Sequence, residues 1–106
     1  MKITKVQGKK FDNENSNVKG LVEVTLDNCF VIKDIRIIEK PDKMVVAMPS
    51  KIVSGRNEDG SVNDEVKVHK DLAHPINRET REMFNSTILE AYKKAESPNF
   101  VEEYND

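Results

Sequence analysis

The chain has 106 residues, 17 Lys+Arg, 19 Asp+Glu, one Cys and no Trp. That length fits one domain and leaves no room for a second sizeable catalytic unit. It can bury a core without a metal or disulfide staple, and a net charge of −2 excludes a protein that coats nucleic acid by bulk charge.

Residues 2–11 read as a moderately apolar strand carrying Ile3, Val6 and Phe11. The polar cluster at residues 12–17 is a turn that no core would accept. Val18, Gly20, Val22, Val24 and Leu26 then alternate with Lys19, Leu21, Glu23 and Thr25, which predicts a half-buried strand. Asp27 and Asn28 supply turn chemistry, since both tolerate left-handed backbone. In residues 30–38 both parities carry apolar residues, so this strand is expected to be central or covered twice, and in so small a domain a second subunit could supply the second cover. Residues 44–48 are a short buried strand stopped by Pro49. The Gly- and Asn-rich stretch 52–64 is expected to be a mobile surface loop or hairpin tip, and residues 65–69 an edge strand.

Asn77 is a good N-cap. From there Thr80, Met83, Phe84, Thr87, Ile88, Ala91, Tyr92 and Ala95 recur at helical spacing. Lys93 and Lys94 suit the carbonyl end, and Ser97-Pro98 ends the helix. Residues 96–106 are expected to be an acidic C-terminal tail behind a single domain at 1–95. Without residues 95–106 the chain has 17 bases and 15 acids, so removal of the tail at Ser97 should strengthen binding of phosphate. Strands first and one amphipathic helix last predict an α+β domain. Its antiparallel sheet would carry the helix on one face and mediate a homodimer.

A lone Cys29 cannot close an internal disulfide, which fits a reducing compartment. No segment is long and apolar enough to be a signal peptide or a membrane span, so the expected location is cytoplasmic, with no membrane partner. A metal site would need Cys29, His69, His74 and a carboxylate to converge, and no ligand spacing supports that. No cofactor, no small-molecule substrate and no enzymatic activity are expected. His74 lacks a spaced nucleophile and reads as a structural hydrogen-bonding group. Phe84 and Tyr92 read as packing residues and not as platforms for bases.

The start of the helix is the most informative segment. Arg78 and Arg81 lie in a first turn where the dipole favours acids. Free amides, the dipole and two guanidinium groups could hold a phosphate. The plainer alternative pairs Arg78 with Glu82 and leaves the rest solvated, and residue patterns alone favour it. Lys51, after the stop at Pro49, and Lys70, before the approach to the helix, are further phosphate candidates that could equally be solvated. Lys2, Lys5, Lys9 and Lys10 read more simply as guards of an edge strand.

Several segments, in order, resemble the SpoVG family of bacteria (stage V sporulation protein G, a septation regulator). They are Ile3-Thr4-Lys5-Val6, Thr25-Leu26-Asp27, residues 30–36, Val46-Ala47-Met48-Pro49-Ser50-Lys51, residues 71–77 and Thr80-Arg81. The resemblance implies a small α+β fold, a homodimer formed through the sheet, and sequence-selective binding of DNA and RNA in gene regulation affecting sporulation or septation. It places nucleic-acid binding at the start of the helix, here Asn77 to Arg81, and so raises Arg81 and Thr80 above Arg78, Lys70 and Lys51. The stretch 52–68 is longer than the resemblance leads one to expect, which leaves open whether Lys51 shares a surface with the helix start. The alternative reading is a protein-interaction module in cell division without physiological nucleic-acid binding. Its supports are the two-faced strand at 30–38 and the acidic tail.

Overall fold

The computed structural model describes residues 1–104; Asn105 and Asp106, the last two of the expected tail, lie outside the described residues. The first three strands, β1 (Ile3–Lys10), β2 (Val18–Leu26) and β3 (Phe30–Glu39), form an antiparallel meander. Between β2 and β3, Cys29 N–H donates to Leu26 O, and Asp27 and Asn28 both take positive φ, 50° and 57°. That is the type I′ geometry whose twist matches paired strands, and Asp and Asn adopt it at low cost. The turn is pinned to β1 by buried Thr4, whose Oγ1 accepts from Asn28 N–H at 3.0 Å.

β3 is central, paired on one side with β2 and on the other with a fourth strand at residues 44–47, and its two-sided apolar pattern has a further cause. Val24 faces Ile32 and Val22 faces Ile35, so Lys33 and Asp34 together oppose Glu23. Asp34 sits at φ 63°, and the extra residue is a β-bulge. A one-residue insertion switches the inward parity. Ile32 before it and Ile35 and Ile37 after it therefore all turn to the same core. Much of the apparent second apolar face is this change of phase. Val31 remains exposed on the far side.

Strand β4 (Met44–Ala47) adds to β3, and α1 (Arg78–Lys94) lies across one face of the sheet. Val6, Val22, Val24, Ile35 and Ile37 from the sheet meet Phe84, Ile88 and Ala91 from the helix in one core. The helix is therefore held by its apolar stripe, as the spacing requires. It ends beside β1, where Lys10 Nζ donates to Ala95 O at 3.0 Å and lies 4.6 Å from the centroid of the Tyr92 ring. Lys10 is thus a helix-end ligand.

The segment expected as a tail is in part a strand. β7 (Asn99–Glu103) pairs antiparallel with β1 and completes the sheet order β4-β3-β2-β1-β7. Phe100 enters the core and meets Tyr92 edge-on, with ring centroids 6.5 Å apart. Glu103 lies opposite Lys5, and Glu102 pairs with Lys94 at 3.6 Å. A strand with one deeply buried side chain among acids carries almost no periodic signal, so composition suggested a tail. Its place also corrects the reading of Lys5 and Lys9, since β1 is an interior strand. Truncation at Ser97 would remove Phe100 from the core as well as charge, so it cannot isolate an electrostatic effect.

Of the two readings of residues 52–64, the hairpin holds, and it is longer than a tip, with the edge strand expected at 65–69 as part of its second strand. β5 (Ser50–Arg56) and β6 (Val62–Asp71) form a separate two-stranded sheet. Its tip is well bonded: Asn57 N–H donates to Ser61 O, Gly60 takes φ 89°, and Asp59 accepts from both the amide and the hydroxyl of Ser61. Those bonds hold the Asp59 carboxyl below its ordinary value, the hydroxyl contributing most. The hairpin has little support from the rest of the fold, and the molecule measures 51 × 35 × 23 Å. No helix among the described residues is long and apolar enough to cross a membrane.

Candidate nucleic-acid interface

The β5–β6 hairpin brings together two residues that lie far apart in sequence. Lys51 and Lys70 are direct cross-strand partners. Both are exposed, and neither has an ion pair among the described residues. Like charges directly opposite on a sheet face cost stability. A phosphate between them would turn that repulsion into attraction. The long insertion between these lysines loops out as the rest of the hairpin, so it separates them in sequence and not in space.

Beyond Lys70 the chain turns back. Leu72 N–H donates to Pro49 O, Pro75 is buried, and the helix begins at Arg78. Eight residue steps separate Lys70 from Arg78, a reach of at most about 28 Å. The lysine pair and the helix start therefore lie no further apart than that tether allows.

The helix start is capped as its sequence implies. Asn77 has extended backbone, and its Oδ1 accepts from Thr80 N–H at 2.8 Å. Its carbonyl accepts from Arg81 N–H at 3.2 Å. The amides of Arg78 and Glu79 are left at the positive end of the dipole. Glu79 is the acid in that first turn.

The two arginines divide. Arg78 Nε donates to Glu82 Oε1 at 2.9 Å, the i,i+4 pair that the plainer reading gave it, with both side chains well exposed. Arg81 folds back over the turn, where Nη2 donates to Pro75 O at 3.3 Å. His74 Nδ1 lies 3.0 Å from the same carbonyl. His74 thus has the structural contact expected of it. Thr80 is half-buried in the first turn, between the cap and the core face. Lys51 and Lys70 are brought together, Thr80 and Arg81 stand at the helix start, and Arg78 is engaged with Glu82.

Sequence reasoning missed Lys67, opposite Ser54 on the same ribbon. It falls in the stretch 65–69 that alternation marks as an edge strand, and nothing in the sequence singled it out there as a phosphate candidate. On the far face of the main sheet, Gln7, Lys9, Leu21, Glu23, Lys33 and Val101 line a shallow groove of about 410 Å³. Its mixed charge suits phosphate less well than the lysine pair does.

These features define a small α+β domain with one helix on an antiparallel sheet and a two-stranded ribbon that carries the Lys51–Lys70 pair near a capped helix start. The SpoVG family model matches residues 1–94. The chain is 44% identical over 102 residues to a "Putative septation protein SpoVG" of Clostridium beijerinckii, covering 96% of this chain and 99% of that one. Proteins of the same name from Bdellovibrio bacteriovorus and Caldicellulosiruptor bescii are 42% identical over 94 residues and 41% over 93. These matches span 89% and 88% of this chain, and 75% and 92% of the relatives. The chain belongs to the SpoVG family.

Proposed function

We propose that this protein is a homodimeric, cytoplasmic, non-catalytic regulator of gene expression that binds DNA and RNA and acts in septation and sporulation. The septation role is supported by the names its relatives carry. The binding role is supported above all by the cross-strand pair Lys51–Lys70, two cations held together with no ion pair to either among the described residues. Lys51 and Lys70 contact backbone phosphate. Arg81 and Thr80 at the helix start contact phosphate or base edges, with Arg81 leaving the Pro75 carbonyl to do so. Arg78 stays with Glu82 and contributes little. In a dimer the patch is duplicated, so a modest charge per chain suffices.

Fluorescence anisotropy with short duplex DNA, single-stranded DNA and RNA, titrated with salt, tests this reading. Binding that weakens linearly on logarithmic axes is expected. No binding to any of the three near physiological salt would refute it and leave a protein-interaction module in cell division.

A further inference from the structure

The β5–β6 hairpin stands off the main sheet as an arm. It leaves the domain between β4 and α1 through two short connections, Met48-Pro49 and residues 72–77. Leu72 N–H donates to Pro49 O at 2.7 Å, which joins those connections to each other and not to the domain. Packing does little to orient the arm, because its strands lie mainly against each other. Short connections with little packing behind them are where a hinge forms. The two halves of the candidate site lie on either side of this junction, Lys51 and Lys70 on the arm and Thr80 and Arg81 on the domain.

One side chain ties the arm to the sheet. Arg36 Nη2 donates to Ser50 Oγ at 3.3 Å. Among the described residues no other side-chain hydrogen bond or ion pair links β5 or β6 to a strand of the main sheet. The bulge in β3 makes this reach possible. By turning Ile35 and Ile37 to the core it turns Arg36 to the opposite face, across from Ala47, the last residue of β4. Ser50 follows three residues later, at the start of β5. Arg36 and Ser50 are both half-buried. Asp71 is the cross-strand partner of Ser50 but forms no ion pair with the guanidinium, so Ser50 is the partner that directs it. A hydrogen bond from a charged donor is stronger than a neutral one.

We propose that Arg36 is a positioning residue: through Ser50 it sets the angle of the arm on the domain, and so holds the Lys51–Lys70 pair in register with the helix start. The inference rests on the nucleic-acid reading above and names what keeps the two parts of that site together.

The test uses the full chain, with circular dichroism to confirm folding. Spin labels on Glu58→Cys at the arm tip and Ser86→Cys on α1, in a Cys29→Ser background, report the arm angle by double electron–electron resonance. Dilution with unlabelled chain restricts the reading to distances within one molecule. Ser50→Ala and Arg36→Ala should each broaden the distance distribution, the double variant no more than either, and Ser50→Thr, which keeps the hydroxyl, should leave it narrow. The same two alanine variants should weaken binding of short duplex DNA by roughly fivefold, with the log–log salt slope unchanged. Equal widths in all variants would overturn the positioning role. So would broadened distances with unaltered affinity. A slope that falls by about 1 in Arg36→Ala alone would make Arg36 a phosphate contact instead. If the unsubstituted chain binds no nucleic acid, the function proposed above fails and the coupling to it with it, whereas the label widths still decide whether Arg36 sets the arm.

Discussion

Replacing Phe100 with Ala tests whether the C-terminal strand is part of the domain. Phe100 is 8% exposed, packs edge-on against Tyr92 and closes the β7 end of the core. Its neighbour Val101 is 54% exposed on the opposite face of the same strand. Truncating a buried Phe to Ala costs about 3–5 kcal/mol, and a site at the edge of the core belongs at the lower end. A domain of this size has roughly 5–15 kcal/mol of stability, so about 3 kcal/mol is a large share. The melting temperature should fall on the order of 12 °C. Val101→Ala should cost well under about 1 kcal/mol, since a half-exposed methyl pair leaves no cavity. Thermal and urea unfolding by circular dichroism measure both. Equal, small effects for the two variants would mean that residues 99–103 do not dock, and the assignment of β7 would fall.

The two tyrosines of the chain, Tyr92 and Tyr104, both lie near β7, and burial raises both phenols above 10.0, with Glu39 adding to Tyr92 and Glu102 and Glu90 to Tyr104. A raised folded pKa adds stability that is complete below the unfolded value and is lost as pH rises through the folded one. Stability should therefore hold up to about pH 10 and fall above it, with tyrosinate absorbance titrating later in the native chain than in urea; coincident titrations would contradict the burial. Gly8→Ala places a Cβ 2.6 Å from the Leu21 carbonyl oxygen and 3.1 Å from the Phe100 ring, so it should destabilise by about 1–3 kcal/mol, and an unchanged urea midpoint would count against the close approach. Arg78→Ala breaks only an exposed i,i+4 pair, so stability should change by less than about 0.5 kcal/mol, and nucleic-acid affinity should be unaltered. Arg81→Ala should weaken binding by calorimetry or anisotropy, and the reverse order of the two arginines would reject the site as drawn.

Much of the fold is written in local patterns. The alternation of β2, the Asp27-Asn28 turn, the Pro49 stop and the Asn77 cap each act over a few residues and can be read directly. The helix face from Met83 to Tyr92 is legible for the same reason. The bulge at Lys33-Asp34 is not, because a one-residue insertion mimics a strand apolar on both sides. The arm is only half legible: residues 65–69 alternate and mark an edge strand, whereas β5, with its Ser and Gly beside the Asn- and Asp-rich tip, looks like loop. Lys10 resembled a solubilising charge, and only the packing of α1 shows that it reaches Ala95 O and Tyr92. Within the site, the Arg78–Glu82 pair follows from spacing. The Lys51–Lys70 partnership depends on how an 18-residue stretch folds back on itself, which no local pattern specifies.

The central claim is that the paired lysines on the ribbon bind phosphate. Binding of short duplex DNA by the wild type and by the Lys51→Ala, Lys70→Ala double variant, each titrated with salt, tests it most directly. The account expects the double variant to bind more weakly, with a log–log salt slope shallower by about 2 for each chain engaged. Equal slopes for the two proteins, both folded, would contradict it.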